Sequence, residues 1–191
     1  ALSAAGILST KLGGPSVKPY QPAGVWKEVS GATYQADKGE GLHRRSLYTY
    51  WKRTAPPPAM LTFDATTRED CVARRSTTNT PLQALVLLND PQFVEAARML
   101  AQRMLVAFPE DLSAQLTFGV QCVLGRPPYP EEVQWLERIY QERLDSGQDT
   151  DESLESVGTL AWKEGLDRNS LKALSAVSLA ILNFDEAIVR R

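Results

Sequence analysis

Residues 80–109, TPLQALVLLNDPQFVEAARMLAQRMLVAFP, decide the fold. Thr80 and Asp90 each precede a proline. Each pair therefore sets a capping side chain ahead of a residue whose fixed φ suits the first helical position. Beyond Gln92, the residues Phe93, Ala96, Ala97, Leu100, Met104 and Leu105 form one apolar stripe at helical spacing, with Arg98, Gln102 and Arg103 opposite. Pro109 closes the pattern. The spacing predicts helices over 81–88 and 91–108.

The same reading extends toward the C-terminus. A helix is expected over 112–124, stopped by Gly125-Arg126-Pro127-Pro128. Another spans 130–145, opened by Pro130, with Glu131 and Glu132 suited to the positive end of a helix. A polar linker, 148–155, precedes a last helix over 169–185. Strands and helices do not alternate and no repeat is present, so the fold is expected to be all-α or predominantly α, an irregular helical array.

Upstream the pattern changes. Residues 1–12 carry apolar positions at helix-compatible spacing until Gly13-Gly14-Pro15 stops them. A long Pro- and aromatic-rich segment, about 13–80, is expected to be non-helical, with Tyr20 and Trp26 as apolar anchors. Ser46–Arg53 reads either as a strand or as a single helical turn. Pro56-Pro57-Pro58 imposes extension, and Asp64 is placed to cap a turn leading into 68–72. The chain thus reads as one domain, 1–191, with a loop-rich aromatic and basic segment (1–80) and a helical segment (81–191).

Composition narrows the function classes. With 191 residues, 43% apolar and 23% charged, the chain can bury a core and is not of a disordered type. A net charge of −2 gives no general attraction to nucleic acid. Charge is nevertheless uneven: residues 43–75 hold seven Lys/Arg against three acids, a local +4 that leaves −6 elsewhere. No stretch approaches the roughly 18 apolar residues of a membrane span, and no signal peptide opens the chain. Because the sequence starts at Ala1, inside an apolar pattern, it is expected to be a fragment of something longer.

Few residues suggest chemistry. His43 is the single histidine and reads as structural. With Cys71 and Cys122 it makes no zinc pattern of usual spacing, and neither a metal nor any other cofactor is expected in this chain. The two cysteines are expected to be free, mostly buried thiols. Asp64, Glu69 and Asp70 lie within the basic block, where a carboxylate pair could hydrolyse glycosides, but neutralising Arg68, Arg74 and Arg75 is the simpler role. Trp26, Tyr48, Tyr50 and Trp51 suit either sugar stacking or a local core. The candidate site is therefore an anion-binding one formed by Arg44, Arg45, Arg74 and Arg75, whose planar forks match sulfate, phosphate or carboxylate. The nearby Thr80 helix start would add free amides.

The runs RRSLYTYWKRTAPPPAMLTFDATTRE (44–69) and RRSTTNTPLQALVLLNDPQFVEAARMLAQRM (74–104) resemble the planctomycete PSD domain, a domain of unknown function numbered fifteen fifty-three. GGPSVKPYQPAGVW (13–26), LGRPPYPEEV (124–133) and LNFDEA (182–187) match its flanking signatures. The resemblance implies the C-terminal half of that domain in a larger multidomain protein, exported to the periplasm or cell surface. It also implies a cytochrome-c-like neighbour and a link to polysaccharide, and it supplies no catalytic residue. The function expected is a non-catalytic interaction or scaffold domain of an envelope-associated protein, binding an anionic glycan, the N-terminal half of the same domain or that neighbour. The alternative is the C-terminal part of an extracellular carbohydrate-active enzyme whose site is shared with the missing half.

Overall fold

The computed structural model describes residues 1–146 and 157–189, and among them the protein is helical, with two isolated β-bridges and no strand. Its helices are α1 (Val25–Ser30), α2 (Pro58–Thr62), α3 (Pro81–Asn89), α4 (Pro91–Ala107), α5 (Leu112–Leu124), α6 (Pro130–Asp145), α7 (Arg168–Leu182) and α8 (Asp185–Ile188). The five long helices match the expected ones to within a residue or so at their starts. The last breaks at Asn183 rather than running to 185. The expected linker 148–155 lies outside the described residues.

Local chemistry explains the starts. Asp90 accepts from the Gln92 amide at 2.9 Å, Asp111 from Ala114 at 2.9 Å and Asp167 from Ser170 at 2.8 Å. Each satisfies an amide that the first helical turn leaves unpaired. Proline occupies the first position of α2, α4 and α6, so the third residue of Pro56-Pro57-Pro58 starts a helix rather than prolonging an extended run.

The chain forms two compact units, Leu8–Val86 and Ala1–Ile7 with Leu87–Arg191, the division falling inside α3. In the helical unit α4 packs chiefly on α7, α7 on α6, and α5 against all three. Leu100 and Met104 of α4, Leu116 and Val120 of α5, Leu136 of α6 and Leu174 and Ile181 of α7 form the core. Each large side chain buried there contributes roughly 1.5–3 kcal/mol. A second cluster joins Ala5 to Ala96 and Met99 of α4, so residues 1–7 belong with the helices. They form turns rather than the helix their spacing suggested.

The side of α4 opposite its stripe is not left to solvent. Arg98 is 1% exposed and donates to the carbonyls of Val157 (2.7 Å) and Leu160 (2.5 Å). Glu95, also buried, accepts from the amides of Thr159 and Leu160. Gln102 accepts from the Lys163 amide at 2.7 Å, and Arg103 donates to the Ala4 carbonyl. Four polar residues of one helix thus hold two irregular segments by their main chains. Gly158 sits in this loop at φ +88, where a Cβ would collide with the Glu95 carboxylate, so glycine is required there.

In the loop-rich unit, residues 9–17 lie beside 43–50. Ser9 donates its amide to His43 (2.9 Å), Val17 to Tyr48 (2.8 Å), and Tyr50 to Val17 (2.7 Å). The Ser46–Arg53 segment resolves into a 3-10 turn (Ser46–Tyr48) followed by the bridge residue Thr49. A further 3-10 turn covers Gly39–His43, so short helical turns interrupt the segment expected to be non-helical. Trp26 is buried, with Tyr34 and Tyr50 against it at ring-centroid distances of 5.0 and 5.8 Å, a small aromatic core. Both cysteines are free, as expected, but not deeply buried. Cys71 is exposed in a stretch without regular structure, and Cys122 is half-buried at the edge of the helical core.

The α4 clamp makes a quantitative expectation. Arg98→Ala empties a buried site and removes the donors of two loop carbonyls, and should lower the unfolding free energy by roughly 3 kcal/mol. Arg138→Ala, at an exposed position of α6, should change it by less than about 0.5 kcal/mol. Urea denaturation of the two variants checks the contrast.

Candidate functional site

The four arginines singled out in the sequence all lie in the loop-rich unit, and the structure separates them into two kinds. Arg44 is buried. Its Nη2 donates to the carbonyls of Lys11 (3.0 Å) and Gly13 (2.7 Å), and its guanidinium stacks 3.9 Å from the centre of the Tyr48 ring. Tyr48 in turn accepts the Gly13 amide through its hydroxyl at 2.9 Å. Arg44 is therefore an anchor for residues 11–13 and not part of an open anion surface. The reason is local: Gly13 and Gly14 leave a bare turn whose carbonyls need donors.

Arg75 performs the same task elsewhere. Its Nε donates to the Asp64 carbonyl at 2.9 Å and its Nη2 to the Phe63 carbonyl at 3.0 Å. Their neighbours differ. Arg45 and Arg74 are exposed, and their side chains make no hydrogen bond, ion pair or ring contact among the described residues.

The acids of the block are also assigned. The Asp64 side chain accepts the Thr78 amide at 2.8 Å and the Thr78 hydroxyl at 2.9 Å, which closes the 64–78 loop. Asp64 itself adopts φ +58, a left-handed conformation that aspartate tolerates in turns. The Thr78 amide, with the Thr78 hydroxyl and the nearby Arg75 charge, holds its carboxyl below the usual carboxylate range. Glu69 and Asp70 are exposed, and Arg68 lies over the Trp51 ring at 4.7 Å instead of pairing with an acid. His43 is buried and lends its backbone carbonyl to Ser9.

At the Thr80 helix start the amides of Thr80 and Gln83 are already taken. Gln83 Oε1 accepts the Thr80 amide at 2.9 Å, Thr80 Oγ1 accepts the Gln83 amide at 3.3 Å, and Gln83 Nε2 donates to the Thr62 carbonyl at 2.9 Å. This is a capping box, readable from Thr80-Pro81-Leu82-Gln83 and overlooked in favour of the proline.

The aromatic residues carry further cations. Lys52 Nζ lies 4.5 Å from the centre of the Trp26 ring, and Lys18 Nζ lies 5.6 Å from it and 5.5 Å from that of Tyr50. Tyr34 donates its hydroxyl to the Pro19 carbonyl at 2.5 Å. Burial, with Asp37 close by, pushes its pKa up to about 12. Trp26 and its neighbours thus form the local core of the unit, with Tyr50 partly open. Among the described residues, no three His, Cys, Asp or Glu side chains gather as a metal site requires, and no helix is long and apolar enough to cross a membrane.

By class this is a helical domain carrying a loop-rich, basic unit whose loops are fastened by arginine-to-carbonyl bonds. A family model described as PSD1, a protein of unknown function (DUF1553), matches residues 1–140, and the chain belongs to that family. The match stops within α6, so the LNFDEA signature at 182–187 lies beyond it. No curated protein and no solved structure matches the chain.

Asp64 gives a pH expectation. Its folded pKa is depressed, so its contribution is present above the unfolded value near 3.8 and is lost as pH falls through the lower, folded value. The Thr78 amide resonance should therefore titrate with a midpoint below 3.8, and Asp64→Asn should abolish that titration in a two-dimensional NMR series.

Proposed function

We propose that this chain is a non-catalytic interaction domain that binds an anionic glycan through Arg45 and Arg74 of its loop-rich unit. One observation carries the reading: within each arginine pair, the guanidinium of one member is tied to backbone carbonyls while that of its neighbour is exposed without a partner among the described residues. A guanidinium beside a fixed residue starts from a restricted position and loses less freedom when it binds. Its planar fork suits sulfate or carboxylate held bidentately.

An exported, envelope-associated setting in a planctomycete belongs to the same proposal, with the N-terminal half of the domain or a cytochrome-c-like domain as a further partner. The likeness of the motifs to the PSD family supports it. The alternative, part of a carbohydrate-active enzyme, asks for a carboxyl group that holds a proton near neutral pH. The Asp64 carboxylate is engaged by the amide and hydroxyl of Thr78 instead, which gives it a loop-closing role.

Titration with a sulfated oligosaccharide, followed by calorimetry, tests the proposal. Affinity should fall steeply between about 0.05 and about 0.5 M salt, since screening shortens from roughly 14 to roughly 4 Å. Arg45→Ala with Arg74→Ala should weaken binding about tenfold, or roughly 1.4 kcal/mol, at an unchanged urea midpoint. Arg44→Ala with Arg75→Ala should lower the urea midpoint. An Arg45/Arg74 double variant with unchanged affinity overturns the reading.

A further inference from the structure

The two most exposed large apolar side chains among the described residues are Leu12 and Leu47, 74% and 72% exposed. The loop-rich unit puts them in one neighbourhood. Ser9 bridges to Arg44 and Val17 to Thr49, so both leucines lie between the same two bridges. Seven residues, 10–16, separate the bridges on one segment and four, 45–48, on the other, so the longer segment arches outward and carries Leu12 with it. Its arch is fastened. Arg44 holds the carbonyls on either side of Leu12, those of Lys11 (3.0 Å) and Gly13 (2.7 Å), and the Tyr48 hydroxyl holds the Gly13 amide at 2.9 Å. Leu47 sits in the 3-10 turn Ser46–Tyr48, directly before the tyrosine that grips the arch. Single exposed leucines are ordinary, but a pair displayed together on fastened turns marks a surface that meets an apolar phase.

The charges beside the pair say which phase. Residues 9–18 and 43–53 hold Lys11, Lys18, Arg44, Arg45, Lys52 and Arg53 and not one Asp or Glu. Hydrogen bonds bring two acids to these segments: Glu40 accepts the Ser9 hydroxyl at 2.6 Å, and Asp37 the Lys18 amide at 2.8 Å. Even with Arg44 committed to carbonyls, the balance stays basic. Over the whole unit, Leu8–Val86, eleven Lys/Arg stand against six Asp/Glu. Lys11 and Arg45, within two positions of the leucines, are exposed. Apolar tips with cations beside them match the boundary of a bilayer that bears anionic headgroups. Leucine enters the acyl region while lysine and arginine stay at headgroup level. A folded protein partner would need a shaped pocket for each protruding leucine, whereas a fluid bilayer needs none.

We propose that Leu12 and Leu47 are peripheral membrane anchors that dip into a bilayer containing anionic lipid, with Lys11 and Arg45 against its headgroups. The attachment is through loops and spans nothing. It goes beyond glycan binding, in which the leucines take no part, and of the two arginines of that reading it shares only Arg45.

Cosedimentation of the full chain with lipid vesicles is the test. Vesicles of phosphatidylcholine mixed with phosphatidylglycerol should take up the protein, and vesicles of phosphatidylcholine alone should not. Raising the salt from about 0.05 to about 0.5 M should weaken uptake about tenfold as screening tightens. Leu12→Ser with Leu47→Ser should weaken it by about the same factor at an unchanged urea midpoint, and either serine variant alone by about threefold. The serine pair should keep its affinity for the sulfated oligosaccharide, and Lys11→Glu, which spares Arg45 and Arg74, should lower vesicle uptake. An unaltered chain that ignores the oligosaccharide but follows the anionic vesicles would refute the glycan reading alone and support this one. No uptake by the anionic vesicles, a serine pair taken up as well as the unaltered chain, or a dimer in vesicle-free solution that the serine pair dissolves would each overturn the proposal.

Discussion

Backbone that leaves regular structure must still pair its amides and carbonyls, and in this protein several loops meet that requirement through charged side chains. Arg98 supplies donors to Val157 and Leu160, Arg103 to Ala4, Arg44 to Lys11 and Gly13, and Arg75 to Phe63 and Asp64. Carboxylates do the converse, Glu95 taking amides of the 159–160 loop and Asp64 the amide of Thr78. The fork of arginine suits the task because it spans two carbonyls at once and stays charged at any ordinary pH. Without these bonds the segments covering α4 would leave buried polar groups unpaired, and the helices beneath would lose their lid.

The long helices were legible because their signals are local. A cap, a proline and a stripe of apolar residues lie within a few positions of one another, and Asp90-Pro91 followed by the Phe93–Leu105 stripe is read correctly without knowledge of the rest. What covers the opposite face of α4 is not local. Arg98 meets carbonyls some sixty positions away, and nothing in the spacing distinguishes a solvated arginine from one enclosed by a distant loop.

The candidate site was legible only as a set of arginines. Adjacent residues such as Arg44 and Arg45 look alike in sequence, yet the bare carbonyls near Gly13 capture one and leave the other outside. The helix start at Thr80 misled for a related reason. Its amides are unpaired only if no side chain returns to them, and Gln83 does return.

Fastening loops through main-chain atoms has an evolutionary corollary. The arginine is constrained, while its partner contributes a carbonyl that every residue possesses, so the side chains at Lys11, Val157 or Leu160 are free of that bond's demands. Such contacts leave no pair of positions that must change together. Methods that infer proximity from correlated substitution would be blind to the clamps, while an alignment would display them as solitary arginines with no evident reason to persist. Substitutions along the fastened loops would accumulate quietly, provided the backbone could still reach the fork.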